Sequence, residues 1–80
     1  GRTLNVSESG ILLETHALLD PNTTVSLTIG MEEEIIDIKG IAVYSQENDG
    51  GGFETGIEFI DIQPAELTVL QKFIQAFGRN

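Results

Sequence analysis

The 80-residue chain has no cysteine and no tryptophan, one histidine, one tyrosine and two prolines. Without cysteine there is no disulfide framework, no thiol nucleophile and no thiolate zinc site, a usage that fits a reducing cytosol. Basic residues are scarce too: four Lys and Arg stand against thirteen Asp and Glu, for a formal charge of −9. Affinity for nucleic acid or an anionic membrane surface comes from basic patches, so both are disfavoured partners. Arg2, Lys39, Lys72 and Arg79 are also dispersed along the chain. No apolar run approaches the roughly 18 residues of a membrane span, so no membrane insertion is expected, and no signal-peptide pattern opens the sequence.

The same shortages argue against catalysis, and the chain reads as a non-enzyme. His16 is the sole histidine, in a loop between strands, with no cysteine or second histidine to partner it. Ser7 and Ser9 have no base at a telling spacing. Glu32-Glu33-Glu34 lacks the D-x-D-x-D-G layout of a calcium loop and reads as a solvated acidic turn, so no metal site is expected. Gly50-Gly51-Gly52 neither opens a helix nor carries a following Lys-Ser/Thr, so it is no phosphate loop.

What is present is one small domain. Hydrophobic residues make up 40% and mean hydropathy is +0.03, enough for a modest core. Gly1-Arg2-Thr3-Leu4 leads straight into a strand-like run, so the chain is expected to be a domain, residues 1–80, missing its N-terminal segment. Thr24 to Ile29 alternates polar and apolar residues, as a half-buried strand does. Asp20-Pro21-Asn22 before it is a turn signal. Ile36 and Ile38 alternate with Asp37 and Lys39, and the apolar phase shifts around Gly40, which marks a bulge or bend there. Asn48-Asp49-Gly50-Gly51-Gly52 is the clearest hairpin loop. Phe53, Thr55, Ile57 and Phe59 then share one strand face, with Glu54 and Glu58 on the other.

Five strand-like segments emerge, near 2–6, 10–15, 24–30, 34–46 and 53–61, and then the period changes. Pro64 suits the first helical position, and Leu67, Leu70, Phe73, Ile74 and Phe77 form one apolar helix face ending near Gly78. Strands in meander order followed by a helix predict a mainly β fold: a small antiparallel split barrel of five to six strands with one C-terminal α-helix. The helix face is expected to pack on the sheet or to dock a partner protein. Five strands are one short of closure, so an edge is exposed, and a missing strand, a partner or a second copy of the chain is expected to cover it.

One polar stretch stands out, Asn5-Val6-Ser7-Glu8-Ser9-Gly10, with the spacing N-x-S-x-x-G between two strand-like runs. Asn and Ser bond their own backbone and favour tight turns, and Gly10 permits positive φ or close approach of another group. Such a segment is either ordinary hairpin chemistry or a binding loop.

This spacing, followed by Ile11-Leu12-Leu13, resembles the second signature of PilZ domains, [D/N]-x-S-x-x-G. Val25 to Ile29, Ile36 to Val43 and Phe53-Glu54-Thr55-Gly56-Ile57-Glu58-Phe59 resemble the family's following strands, in order, and the terminal helix lies where the family places one. The resemblance covers nearly the whole chain and implies a bacterial, cytoplasmic receptor domain for cyclic di-GMP, a second-messenger module with no other cofactor. Carried over by position, Asn5 would hydrogen-bond the guanine edge or hold the loop, Ser7 would offer a hydroxyl, and Gly10 would let the chain approach the ligand. Asn at the first position is neutral and brings a donor as well as an acceptor. The family's other signature, R-x-x-x-R, lies upstream of this motif and grips phosphate. It has no counterpart here: Arg2 is the sole arginine before residue 79 and lies too close to Asn5. Weak or absent binding is therefore expected of this chain. The alternative is a degenerate PilZ-like module that binds protein partners, not nucleotide, through its acidic surface, sheet edge and helix.

Overall fold

The computed structural model describes residues 2–78. Gly1, read as the lead into the first strand, and Arg79 lie outside the described residues. Five strands, β1 (Arg2–Val6), β2 (Gly10–Thr15), β3 (Thr24–Met31), β4 (Glu34–Glu47) and β5 (Phe53–Ile60), precede one helix, α1 (Pro64–Phe77). All pairings are antiparallel, and the sheet curls into a half-barrel with the order β1-β2-β5-β4-β3.

That order corrects the expected meander. Strands β3, β4 and β5 do follow one another as hairpins, but β5 enters between β4 and β2. Residues 16–23 carry the chain from β2 across to the far edge. Their turn has Pro21 fixing one φ and Asn22 at φ 72°, where Asn is among the tolerant residues. The turn is tied down because the Asn22 N–H donates to the Ala42 carbonyl at 2.7 Å and the Ala42 N–H donates to Thr23 at 2.8 Å.

Period-2 alternation builds the inner face. Ile11, Ile29, Ile38, Ile57 and Phe59 are buried together with Val6 and with Leu70 of the helix. The expected irregularity in β4 exists, but at Val43, not Gly40: Ala42 pairs with Ile57 and Tyr44 with Gly56, leaving Val43 as the extra residue. Up to Ala42 the even residues face inward; beyond the bulge Ser45 does, opposite the buried Thr55. The Thr55 hydroxyl is satisfied by Ser45 Oγ at 2.9 Å and Thr15 Oγ1 at 3.0 Å, since a buried hydroxyl without a partner is costly.

The helix packs on the sheet against β3 and β4. Val69 and Leu70 are its buried residues, and a fully buried side chain of this kind contributes roughly 1.5–3 kcal/mol. Phe73 and Phe77 stack one turn apart, with ring centroids at 6.5 Å. Its start rests on the Gln63 N–H donating to Glu66 Oε1 at 2.9 Å, half of a capping box. Gly78 stands at the C-cap as expected, at φ −80° and not in the left-handed region. Strand β5 ends one residue earlier than expected because Asp61 turns to φ 54°.

Strands β1 and β3 are the two sheet edges. A cavity of about 340 Å³ lies between them, lined by Thr3, Ile11, Leu13, Leu27, Ile29 and Phe73 among others.

Candidate functional site

The motif divides into two parts that do different work. Ser7 and Gly10 close the turn from β1 to β2. The Ser7 N–H donates to the Gly10 carbonyl at 2.9 Å, while Ser7 Oγ accepts the N–H groups of Ser9 and Gly10, each at 3.3 Å. Ser7 and Ser9 hydroxyls lie 3.1 Å apart, within hydrogen-bond reach. The turn is clamped to β5, since the Ser9 carbonyl accepts the Phe59 N–H at 2.9 Å. A Cβ on Gly10 would run into the Ile57 carbonyl oxygen. Glycine at this position thus lets β2 approach β5, and its φ is not positive.

Asn5 is separate. It is exposed in β1 and pairs with Leu12, whose chain neighbours Ile11 and Leu13 line the inner cavity. Side chains alternate across a strand, so Leu12 and Asn5 belong to the outer face. Asn5 Oδ1 accepts the Val6 N–H at 2.9 Å. Its amide nitrogen has no partner among the described residues and is available to an incoming acceptor.

Register extends this position across the sheet. Asn5 lies opposite Leu12, Leu12 opposite Gly56, and Gly56 opposite Tyr44, so one outer row crosses four strands. The Tyr44 ring covers Gly56, where a Cβ would strike its Cε1 and Cδ1 atoms. The neighbouring row holds Arg2, Glu14 and Glu54. Arg2 is thus on the same face as Asn5, with its guanidinium 3.6 Å from Glu14 Oε2, an exposed pair of small energetic weight. Neither Arg2 nor Tyr44 is conspicuous in the sequence as a site neighbour. The row depends on strand pairing and on the bulge at Val43, and the run Ala42-Val43-Tyr44 gives no local sign of which side chain faces out.

Behind the turn, Glu8, Gln71, Ile74 and Gln75 line a second hollow of about 330 Å³, where Gln71 Nε2 donates to Glu8 Oε2 at 3.4 Å. His16 is exposed just past β2. Among the described residues no group of three His, Cys, Asp or Glu is placed to hold a metal ion, and no helix is long and apolar enough to cross a membrane.

The PilZ domain family profile matches residues 1–76. No curated protein matches the chain, and no solved structure does. The matched span takes in the five strands, nearly all of the helix and the motif turn. The chain is a member of the PilZ domain family.

Proposed function

We propose that this domain is a cyclic di-GMP receptor and regulatory module of the bacterial cytoplasm, built on the base-facing half of the nucleotide site. The family is one of cyclic di-GMP receptors, binding and regulatory domains, not enzymes. The observation that carries the reading is Asn5: an exposed amide, with its nitrogen unengaged, beside the Ser7–Gly10 turn. Asn5 reads the edge of one guanine. Ser7 holds the turn and offers its hydroxyl, and Gly10 keeps the turn close to β5. The phosphates receive no pair of guanidinium groups from this chain, because Arg2 is the sole arginine among the described residues and leans on Glu14. Weak binding by this chain is therefore expected. Titration of the 80-residue chain, followed by amide NMR shifts, tests this: saturable shifts confined to Asn5–Gly10 and its row are expected. Sub-micromolar affinity overturns the weak-binding part, and no shift at millimolar ligand overturns the receptor reading.

One observation favours a second reading. Glu14, Glu54 and Glu58 point to the same outer face, an arrangement that repels phosphate and suits a basic protein surface. In that reading the module works through protein contacts at the outer face, the sheet edges or the helix, a second copy included.

A further inference from the structure

We infer that β3 is the surface through which two copies of this chain associate, edge to edge and antiparallel about a two-fold axis at Leu27; this rests on the protein-contact reading above and names its surface and partner. The two sheet edges are guarded differently. Strand β1 is short, begins with the charged Arg2 and carries a bulge at Leu4, since Thr3 pairs with Leu13 and Asn5 with Leu12. Short length, charge and bulges are the devices that keep an edge from pairing. Strand β3 has none of them. Its eight residues include no charge and no proline, and all of them pair with β4 without a register shift. Thr24, Val25, Thr28 and Ile29 are β-branched, which favours the extended form.

Hydrogen bonding fixes what this edge offers. The Ala42 N–H donates to the Thr23 carbonyl. Alternation from there turns the backbone groups of Val25, Leu27 and Ile29 toward β4, and those of Thr24, Ser26, Thr28 and Gly30 toward the free edge. These last four residues are exposed. Pairing about Leu27 sets Ser26 against the partner's Thr28 and Thr24 against the partner's Gly30, so each of the four exchanges both backbone bonds. Charge favours a second copy as the occupant. Chains at −9 repel one another, and a neutral strand is where they can touch. Lys39 stands opposite Ser26, and Asp37 opposite Thr28. Across the axis the Lys39 row runs on to the partner's Asp37, and the Asp37 row to the partner's Lys39, so unlike charges face along each row. Ile35 is the most exposed large hydrophobic among the described residues, at 73%, and stands opposite Gly30. With no side chain on Gly30 between them, Ile35 faces the partner's Thr24.

One strand pair buries little area, so the association is weak and concentration-dependent. Sedimentation equilibrium of the 80-residue chain should show a mass rising from 8.7 kDa toward twice that value between micromolar and millimolar concentration. Ser26→Pro removes an edge N–H without touching the ladder to β4. Ser26→Asp places a carboxylate beside the chain's own Lys39 and against the row of the partner's Asp37. Each should weaken association about tenfold, with the circular dichroism of the monomer unchanged, and Ser26→Asp decides if the proline variant fails to fold. Cysteine substitution reads the register, since the chain has no cysteine of its own. Leu27→Cys stands on the axis, where facing residues are about 4.5 Å apart and within disulfide range. Thr24→Cys lies about 20 Å from its copy. With dissolved oxygen as oxidant, Leu27→Cys should cross-link about tenfold faster or more. A monomer at millimolar concentration overturns the proposal and leaves the outer face and helix as protein-contact surfaces. A dimer untouched by the Ser26 variants overturns β3 as the interface, and equal cross-linking of the two cysteine variants overturns the register.

Discussion

The turn between β1 and β2 and the turn between β4 and β5 are closed in the same manner. In the first, Ser7 donates its N–H to Gly10 and its Oγ collects two backbone N–H groups. In the second, Asn48 donates its N–H to Gly52 at 2.9 Å, and its Oδ1 collects the N–H groups of Gly50 and Gly52, each at 3.0 Å. The local devices match, yet only one turn carries the N-x-S-x-x-G spacing. What separates them is their surroundings. The Asn48 turn touches β2 at its base, where Asn48 Nδ2 donates to Glu14 Oε2 at 3.4 Å, but at its tip Gly51, at φ 85°, meets nothing that a Cβ would touch. The Ser7 turn is pressed against β5 and stands beside the exposed amide of Asn5. What distinguishes the motif turn therefore resides less in its own hydrogen bonds than in what the turn is held against.

Substitutions in the two turns should separate these contributions. The largest effect is expected at Gly10. Gly10→Ala drives a methyl group into the Ile57 carbonyl and should cost about 1–3 kcal/mol or prevent folding, whereas Gly51→Ala costs only about 1 kcal/mol for its positive φ. Equal denaturation midpoints for the two variants would erase the contrast. Next comes the capping side chain. Asn48→Ala strips the acceptor from two turn N–H groups and should cost about 1–3 kcal/mol, and Ser7→Ala, whose bonds are longer and exposed, about 0.5–1.5 kcal/mol in the same urea titration. A larger loss at Ser7 would make that turn the more structural of the two.

Smaller still is Asn5→Ala, expected to change stability by less than about 0.5 kcal/mol while abolishing the ligand-induced shifts at Ser7 and Gly10. A loss above about 1 kcal/mol would assign Asn5 to the fold. The smallest effect lies away from both turns, at Lys72, whose ammonium is hydrogen-bonded to Glu34 at 2.6 Å. That bond and the Glu34 charge push the Lys72 pKa above its ordinary 10.5. The contribution is present in full below pH 10.5 and fades as pH rises through the raised value. The melting difference between the parent and Glu34→Gln should therefore vanish in strong alkali, and shrink in high salt because both groups are exposed.

Much of the fold was legible locally. Alternation in Thr24 to Ile29 and in Phe53 to Phe59, the Asp20-Pro21-Asn22 turn and the helix stripe from Leu67 to Phe77 are short-range signals, and each element stands within a residue or so of its expected bounds. Strand order was not legible, because nothing local to Phe53–Ile60 says that it will pair with Gly10–Thr15 as well as with β4. The bulge lies three residues beyond Gly40, a conspicuous breaker, at Val43, which is not one. Gln63 starts the helix without the usual Ser, Thr or Asp, although Glu66 three residues on was a visible cue. At the site, the turn chemistry of Ser7 was readable, while the alignment of Asn5, Leu12, Gly56 and Tyr44 required four strands in register.

The bond from Phe59 to the Ser9 carbonyl also ties together segments that are far apart in the sequence. It joins the first hairpin to the last strand, so the motif turn is held in place only after nearly the whole sequence has been collected. Such distant pairing must overcome loop-closure entropy before it is rewarded, which makes it a late step. A nascent chain that has produced β1 and β2 alone carries every letter of the motif and the turn's own bonds, but not the clamp to β5. The motif turn thus reaches its held form with completion of the domain, not with synthesis of the signature.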